Sequence, residues 1–318
     1  MINKKHIVNL TISFFSIFLA IFLSEIFGKR IGLGNPLIYD SDPLVGYRLK
    51  PNQSKLRRGR SLVSTDAEGF RVDPSNELKL NKKFLVFVGD SVTYGGSYID
   101  NTELFSTKFC ELLNEKFYCL NNGLNAWGVL NMGRFIANFK LYSKRKPYSF
   151  ILVILPGDER RNIKSFSDTP FWDFPPREPS AINEIVRFIN KKYFLPSLKN
   201  SKKNQSNNLS YLNKDKILET QRNTVWNELK IQLKQSEYPI NIIITPPKKW
   251  FDDKAQLKEV KKYDQLLKEI SKIKIITKTC NLYDYILPEY EKDLYVDGVH
   301  LSKKGHAIWA NKLKECLY

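Results

Sequence analysis

Ser91 stands in Gly89-Asp90-Ser91-Val92-Thr93-Tyr94-Gly95, directly after the short apolar run at 84–88. A serine hydroxyl is a weak nucleophile until a base takes its proton. Imidazole is the usual base, and the chain has only three histidines: His6 at the amino end, His300 and His306. His300 closes Asp297-Gly298-Val299-His300, a spacing that lets a turn carry the Asp297 carboxylate to one ring nitrogen. Asp297 then fixes the tautomer and stabilises the imidazolium, while the other nitrogen faces the Ser91 hydroxyl. This is the chemistry of acyl transfer through an ester on serine. Alone, Gly-Asp-Ser reads as well as a strand-to-helix turn with a capping serine; the Asp-x-x-His block makes it a catalytic candidate. His306 projects from another helical face and reads as solvated or structural.

These residues need a scaffold that brings distant segments together. The run at 84–88 is too short and too continuous for a helix and fits a buried parallel strand. Similar runs at 117–120, 150–155, 240–244 and around Lys274 alternate with helix-like segments at 103–114, 129–142, 216–234 and 254–271. Alternation of this kind predicts an α/β layer fold with a mainly parallel sheet. Ser91 then falls at the carboxyl end of a strand, where open α/β sheets place their sites. The alternation breaks at about 165–215, an aromatic and proline-rich stretch followed by a polar Asn/Ser/Lys tract, which reads as an insertion or lid. Phe171, Trp172 and Phe174 are expected to pack it down, and Trp127 to be a core residue. Dinucleotide-binding and P-loop glycine motifs and internal repeats are missing from the sequence, and no cofactor is expected.

The blocks Gly-Asp-Ser-Val-Thr-Tyr-Gly, Asn-Asn-Gly-Leu-Asn at 121–125, and Asp-Gly-Val-His-Leu-Ser-Lys-Lys-Gly-His at 297–306 resemble, in order and spacing over roughly 83–318, the SGNH hydrolase family. The last block is the most specific. The resemblance implies a flavodoxin-like three-layer α/β/α domain, Ser91 as nucleophile, and Asp297 with His300 completing the triad. It also implies an oxyanion hole lined by the Ser91 and Gly123 backbone amides. Val45-Gly46-Tyr47-Arg48 and Glu68-Gly69-Phe70-Arg71 resemble the leader found ahead of membrane-anchored bacterial members. One block departs from the family. Its third block ends Gly-x-Asn-Asp, the Asn donating to the oxyanion, whereas here the strand end reads Leu155-Pro156-Gly157-Asp158-Glu159-Arg160-Arg161-Asn162. An ionised Asp158 accepts hydrogen bonds and cannot donate, so it does not replace the Asn. Asn162 or Asn125 is left as the third donor, with Arg160 or Arg161 neutralising Asp158.

The amino end, 7–27, is apolar for long enough to cross a bilayer. The residues two before its small residues are phenylalanines, which disfavours cleavage, so 1–27 is expected to be a single-pass anchor. A connector at 28–80 and the hydrolase-like domain at 81–318 follow. Lys4 and Lys5 ahead of the span suggest an inside amino terminus and an exported catalytic domain. Fifty-one Lys and Arg against 33 Asp and Glu leave a net charge of +18, which favours an anionic surface or substrate without naming it. Arg57, Arg58 and Arg60 fit either lipid headgroups or a solvated connector. Nucleic acid is unlikely, because no recognition helix or aromatic RNA motif accompanies the charge. Cys110, Cys119, Cys280 and Cys316 lack metal-site spacing, so no metal is expected. Buried free thiols are favoured over bridges, with Cys110–Cys119 the pair able to form one. The expected partners are an acylated envelope glycan or a lipid ester, with a catalytically impaired binding or assembly protein as the alternative.

Overall fold

The computed structural model describes residues 4–73, 82–113, 116–161, 180–190 and 211–318. The amino-terminal segment is one helix, α1 (Lys4–Arg30), with every side chain from His6 to Ser24 exposed. At about 1.5 Å per residue, its 27 residues exceed the ~30 Å hydrocarbon core of a bilayer. Among the described residues it is the one helix long and apolar enough to span a membrane.

Two hairpins follow: β1 (Tyr39–Asp42) with β2 (Gly46–Leu49), and β3 (Ser54–Leu56) with β4 (Leu62–Ser64). The main sheet contains β5 (Lys83–Gly89), β6 (Phe117–Gly123), β7 (Pro147–Ile154), β8 (Ile240–Ile244) and β9 (Ile276–Asn281). All its neighbours are parallel, in the order β6-β5-β7-β8-β9. In chain order that is 2-1-3-4-5, the flavodoxin-like arrangement. The helices after α1 are α2 (Ser91–Tyr94), α3 (Phe105–Leu112), α4 (Val129–Ala137), α5 (Ala181–Ile189) and α6 (Tyr211–Lys234). They continue with α7 (Lys249–Asp252), α8 (Leu257–Ile270), α9 (Leu282–Ile286) and α10 (Lys303–Leu317).

Side chains alternate across a strand, so each sheet face builds its own core. Val86, Val88, Leu152 and Ile242 meet α4, α6 and α8 on one face. Leu85, Phe87, Val153 and Ile243 meet α3, α9 and α10 on the other. Three layers result.

The stretch between α1 and the sheet is built into this core. Val45, Tyr47, Val63 and Phe70 are fully buried and share a cluster with Val86 and Leu120. Arg71 exchanges both backbone hydrogen bonds with Asn121 of edge strand β6, at 2.9 and 3.1 Å, which covers part of an otherwise open sheet edge. Its buried guanidinium donates to Asn101 Oδ1 (2.8 Å), Gly96 O (2.8 Å), Ile99 O (2.7 Å) and Tyr94 O. The loop after α2 is therefore folded around one cation. Arg71→Met leaves these acceptors without their donor in a dry site, and the expected loss is about 3 kcal/mol or more of unfolding free energy. Urea unfolding followed by circular dichroism measures it.

The expectation of free thiols is corrected. Cys110 pairs with Cys119 and Cys280 with Cys316, at Cα separations of 5.9 and 6.3 Å. Cys110 lies in α3 and Cys119 in β6, whereas Cys280 lies in β9 and Cys316 in α10. Each pair joins a helix to a strand on the same sheet face, an adjacency that spacing alone cannot supply. Of the insertion expected at 165–215, residues 165–179 and 191–210, with Phe171, Trp172 and Phe174, lie outside the described residues.

Candidate active site

β5 ends between β6 and β7, and the chain enters these two neighbours on opposite sides. That topological switch point opens a crevice at the strand ends. Asp90 caps the helix that follows, its Oδ1 accepting from Val92 N at 2.9 Å, which places Ser91 as the first residue of α2. The Ser91 N–H, at a helix start, has no intrahelical acceptor.

The Asp297–His300 turn arrives from the other end of the chain and is tied down from three sides. Val296 N donates to His300 O (2.9 Å), Lys248 N to Gly298 O (3.0 Å), and Tyr98 Oη to Leu301 O (2.9 Å). His300 Nε2 then lies 2.9 Å from Ser91 Oγ across 209 residues of sequence, while Nδ1 lies 2.7 Å from Asp297 Oδ2. Asp297 Oδ1 accepts the Val299 and His300 amides at 2.8 Å each. Burial pushes the Asp297 carboxyl up, but these amides and the His300 ring outweigh it and hold it below the usual carboxylate range. An ionised Asp297 sets the proton on Nδ1 and leaves the Nε2 lone pair toward Ser91.

The oxyanion side differs from what the resemblance implies. Gly123 N, expected as a free donor, donates to Asn121 Oδ1 at 2.8 Å. A Cβ on Gly123 would stand 2.0 Å from Tyr94 N, so glycine is required there for α2 to lie directly on the β6 backbone. Asn125 is likewise engaged: its Nδ2 donates to Tyr39 Oη at 3.0 Å, and its carbonyl accepts from Tyr47 Oη. Asn162 lies outside the described residues.

Asp158 is fully buried, as is Asp90. Asp158 Oδ2 accepts from Leu155 N at 2.9 Å, and Oδ1 lies 2.9 Å from Arg161 Nη1 but takes no hydrogen bond. The same Nη1 donates to Asp90 Oδ2 at 2.9 Å, and that oxygen is 3.4 Å from Ser91 Oγ. Two buried carboxyl groups thus share one guanidinium beside Ser91. Burial, then the Asp90 charge, raise the Asp158 pKa well above the carboxylate range against the pull of Arg161. Burial lowers the Arg161 pKa, but the two carboxyl groups overcome it and hold it raised.

Sequence reading had Arg161 only as one of two neutralisers and missed Asp90 altogether. The available signal was register: Gly89 pairs with Val153, so the turns after β5 and β7 leave the sheet side by side. The adjacent Glu159 is also buried and is matched by Arg222 of α6 at 3.1 Å. His306 is structural: its Nδ1 accepts from Phe105 N at 3.1 Å, its ring stacks on Phe105, and burial lowers its pKa to about 3. Trp127 is fully buried. Arg57 is no free headgroup ligand; it is buried and bonded to Glu184. Among the described residues no cluster suits a metal ion.

No protein-family model matches the chain, and no curated protein matches it. Solved structures similar to it include a lipolytic protein of the G-D-S-L family from Veillonella parvula (15% identity, TM-score 0.43, 74% of this chain and 97% of that one). An acetylxylan esterase from Geobacillus stearothermophilus is similar at 15% identity and TM-score 0.43, over 75% of this chain and 95% of that one. A carbohydrate acetylesterase from Sinorhizobium meliloti is similar at 12% and 0.43, over 74% and 98%. At these identities and scores the overall likeness says nothing of substrate. Strand order, a serine at the end of the first strand of the main sheet, and an Asp-x-x-His turn ahead of the last helix give the chain the fold of the SGNH hydrolases.

Proposed function

We propose that the protein is a membrane-anchored serine esterase or O-acyltransferase that acts on acyl esters, acetyl foremost, of a bacterial envelope glycan. The observation that carries this reading is the Ser91–His300–Asp297 relay, with both contacts within hydrogen-bond distance. His300 Nε2 takes the hydroxyl proton as Ser91 Oγ attacks the ester carbonyl. The tetrahedral oxyanion is held by the Ser91 amide, with the Arg161 guanidinium, which Asp90 and Asp158 hold beside Ser91, replacing the family's Asn. His300 returns the proton to the departing sugar oxygen, leaving the acyl group on Ser91. It then activates water for hydrolysis, or a second sugar hydroxyl for transfer.

The helix α1 and the net charge of +18 favour an anionic polymer near a membrane, and two disulfides favour an oxidising, exported side. Lipid esters at the membrane surface are the second substrate class, favoured by the anchor alone. The test is acetate release from acetylated glycans against fatty-acid release from phospholipid vesicles by the full-length protein in detergent. Acetate release that Ser91→Ala abolishes is the expected result. Fatty-acid release with no acetate released would move the reading to a lipid esterase, and neither, in folded protein, to a binding or assembly role.

A further inference from the structure

Helix α5 lies far from the triad in sequence and packs on the foot of α1 rather than on the sheet. Glu25, in the last turns of α1, caps its start: the carboxylate accepts from Ala181 N (3.0 Å), Ile182 N (3.0 Å) and Ser180 Oγ (3.1 Å). The contact is close, since a Cβ on Gly28 would come within 2.5 Å of the Ala181 Cβ. A second tie runs to the body of the protein. Glu184 accepts from Gly34 N at 2.6 Å and pairs with the buried Arg57 guanidinium at 2.7 Å. Arg57 N also donates to Ser61 O, and Ser61 Oγ donates to Ser97 O in the loop after α2. Anchor, α5, the β3–β4 hairpin and the active-site loop are thus joined by one chain of hydrogen bonds.

With Ala181 turned to α1 and Glu184 to Arg57, the i, i+3, i+4, i+7 positions Ile182, Ile185, Val186 and Ile189 form one apolar stripe. Ile185, Val186 and Ile189 are 38%, 47% and 41% exposed. Nothing in the described protein covers them. Position supplies the occupant: Glu25 lies within the apolar stretch of α1 at its carboxyl-terminal end, so a helix capped by Glu25 starts at the level where the anchor leaves the hydrocarbon. Exposed Arg30 of α1 stands at the same level, next to Lys29, which pairs with Glu25 at 3.2 Å, and a cation there suits an anionic headgroup layer.

We infer that α5 is an interfacial helix that lies on the bilayer beside the anchor, with Ile185, Val186 and Ile189 in the acyl–headgroup boundary. It then works with Arg57 and Glu184 to fix how the catalytic crevice stands over the membrane. The inference rests on α1 being a membrane span.

The test keeps those two claims apart. With the native cysteines paired, an introduced cysteine is the reactive thiol. Full-length Ile185→Cys, Ile189→Cys, Asn183→Cys on the polar side of α5, and Leu19→Cys in α1 are labelled with an environment-sensitive fluorophore. They are placed in nanodiscs of phosphatidylethanolamine and phosphatidylglycerol carrying either a shallow lipid quencher, which reads 183, 185 and 189, or a deep one, which reads 19. Labels at 185 and 189 are expected to be quenched at least ~3-fold more than the label at 183. Quenching at 19 with a water-like spectrum at 185 and 189 would overturn the interfacial helix and leave the anchor standing. No quenching at 19 would remove the anchor itself. A dry but unquenched label at 185, together with a dimer by cross-linking, would give the stripe to a second copy and overturn the proposal. A far-ultraviolet spectrum unchanged from wild type is the folding control for every variant.

Discussion

Ser91→Ala is expected to lower ester hydrolysis by about 10⁴-fold or more and to remove labelling by an active-site fluorophosphonate. Removing the hydroxyl deletes the atom that carries the acyl group, so no second route through the same intermediate remains. His300→Ala is expected to fall by a comparable factor. It leaves the Oγ in place with no base at the 2.9 Å position that now receives its proton. The two losses do not add in the double variant, because nucleophile and base act in one step. Asp297→Asn separates proton placement from geometry: an amide keeps the bulk but favours the wrong tautomer at Nδ1, and a loss approaching 10⁴-fold is expected. Neither Ser91→Ala nor Asp297→Asn should lower thermal stability much, since both groups are partly exposed. Stoichiometric labelling of wild type, counted by intact mass and absent in Ser91→Ala and His300→Ala, is the check. Labelling that persists in Ser91→Ala would place the nucleophile elsewhere.

Arg161→Met has the second largest expected effect, and it acts on stability and catalysis together. The guanidinium lies 2.9 Å from both Asp90 and Asp158, two carboxyl groups with no exposure of their own. Removing it leaves the acid pair with no cation at that contact, at an expected cost of about 3–5 kcal/mol. Asp158→Asn on its own should cost less than Arg161→Met, because it keeps the shape and takes away one of the two buried carboxyl groups that share the guanidinium. It should also relieve part of the Arg161→Met loss in the double variant. If Arg161 and Asp158 serve the oxyanion, Arg161→Met lowers kcat by a further ~10²–10³-fold in protein that is still folded. Asp158→Asn, restoring the family's donor type, retains activity.

The pH dependence follows from the same group. The Asp158 pKa is raised in the folded state. Its contribution to stability is therefore fully present below the ordinary carboxylate range and is lost as pH rises through the folded value. Asp158→Asn should flatten that fall in unfolding free energy with rising pH. An unchanged slope in the variant would show that Asp158 is not the group that titrates.

Much of this protein was legible one segment at a time. Period and run length gave the parallel strands, because a strand buried on both faces must be apolar throughout, and that leaves a continuous signature at 84–88, 150–155 and 240–244. The Gly-Asp-Ser turn and the Asp-x-x-His turn were legible for a related reason: each is a local device whose spacing is set within a few residues. The uniform apolar character of 7–27 likewise announced one continuous helix. By itself, then, the sequence determined the α/β alternation, the chemical identities of the relay and the presence of the amino-terminal apolar helix.

Tertiary structure decided what depends on two distant segments meeting. It closed the 2.9 Å gap between Ser91 and His300, and it set Asp90, Asp158 and Arg161 side by side because β5 and β7 end together. It occupied the Gly123 amide with Asn121 and the Asn125 side chain with Tyr39. It joined four cysteines into two helix-to-strand pairs and turned a stretch that reads as a connector into core. It also gave Arg57, which reads as a surface cation, to Glu184 at the foot of α1. The reason is common to all of these: side-chain type and local spacing are properties of a segment, whereas burial, charge pairing and the state of an amide belong to whatever the fold places against it.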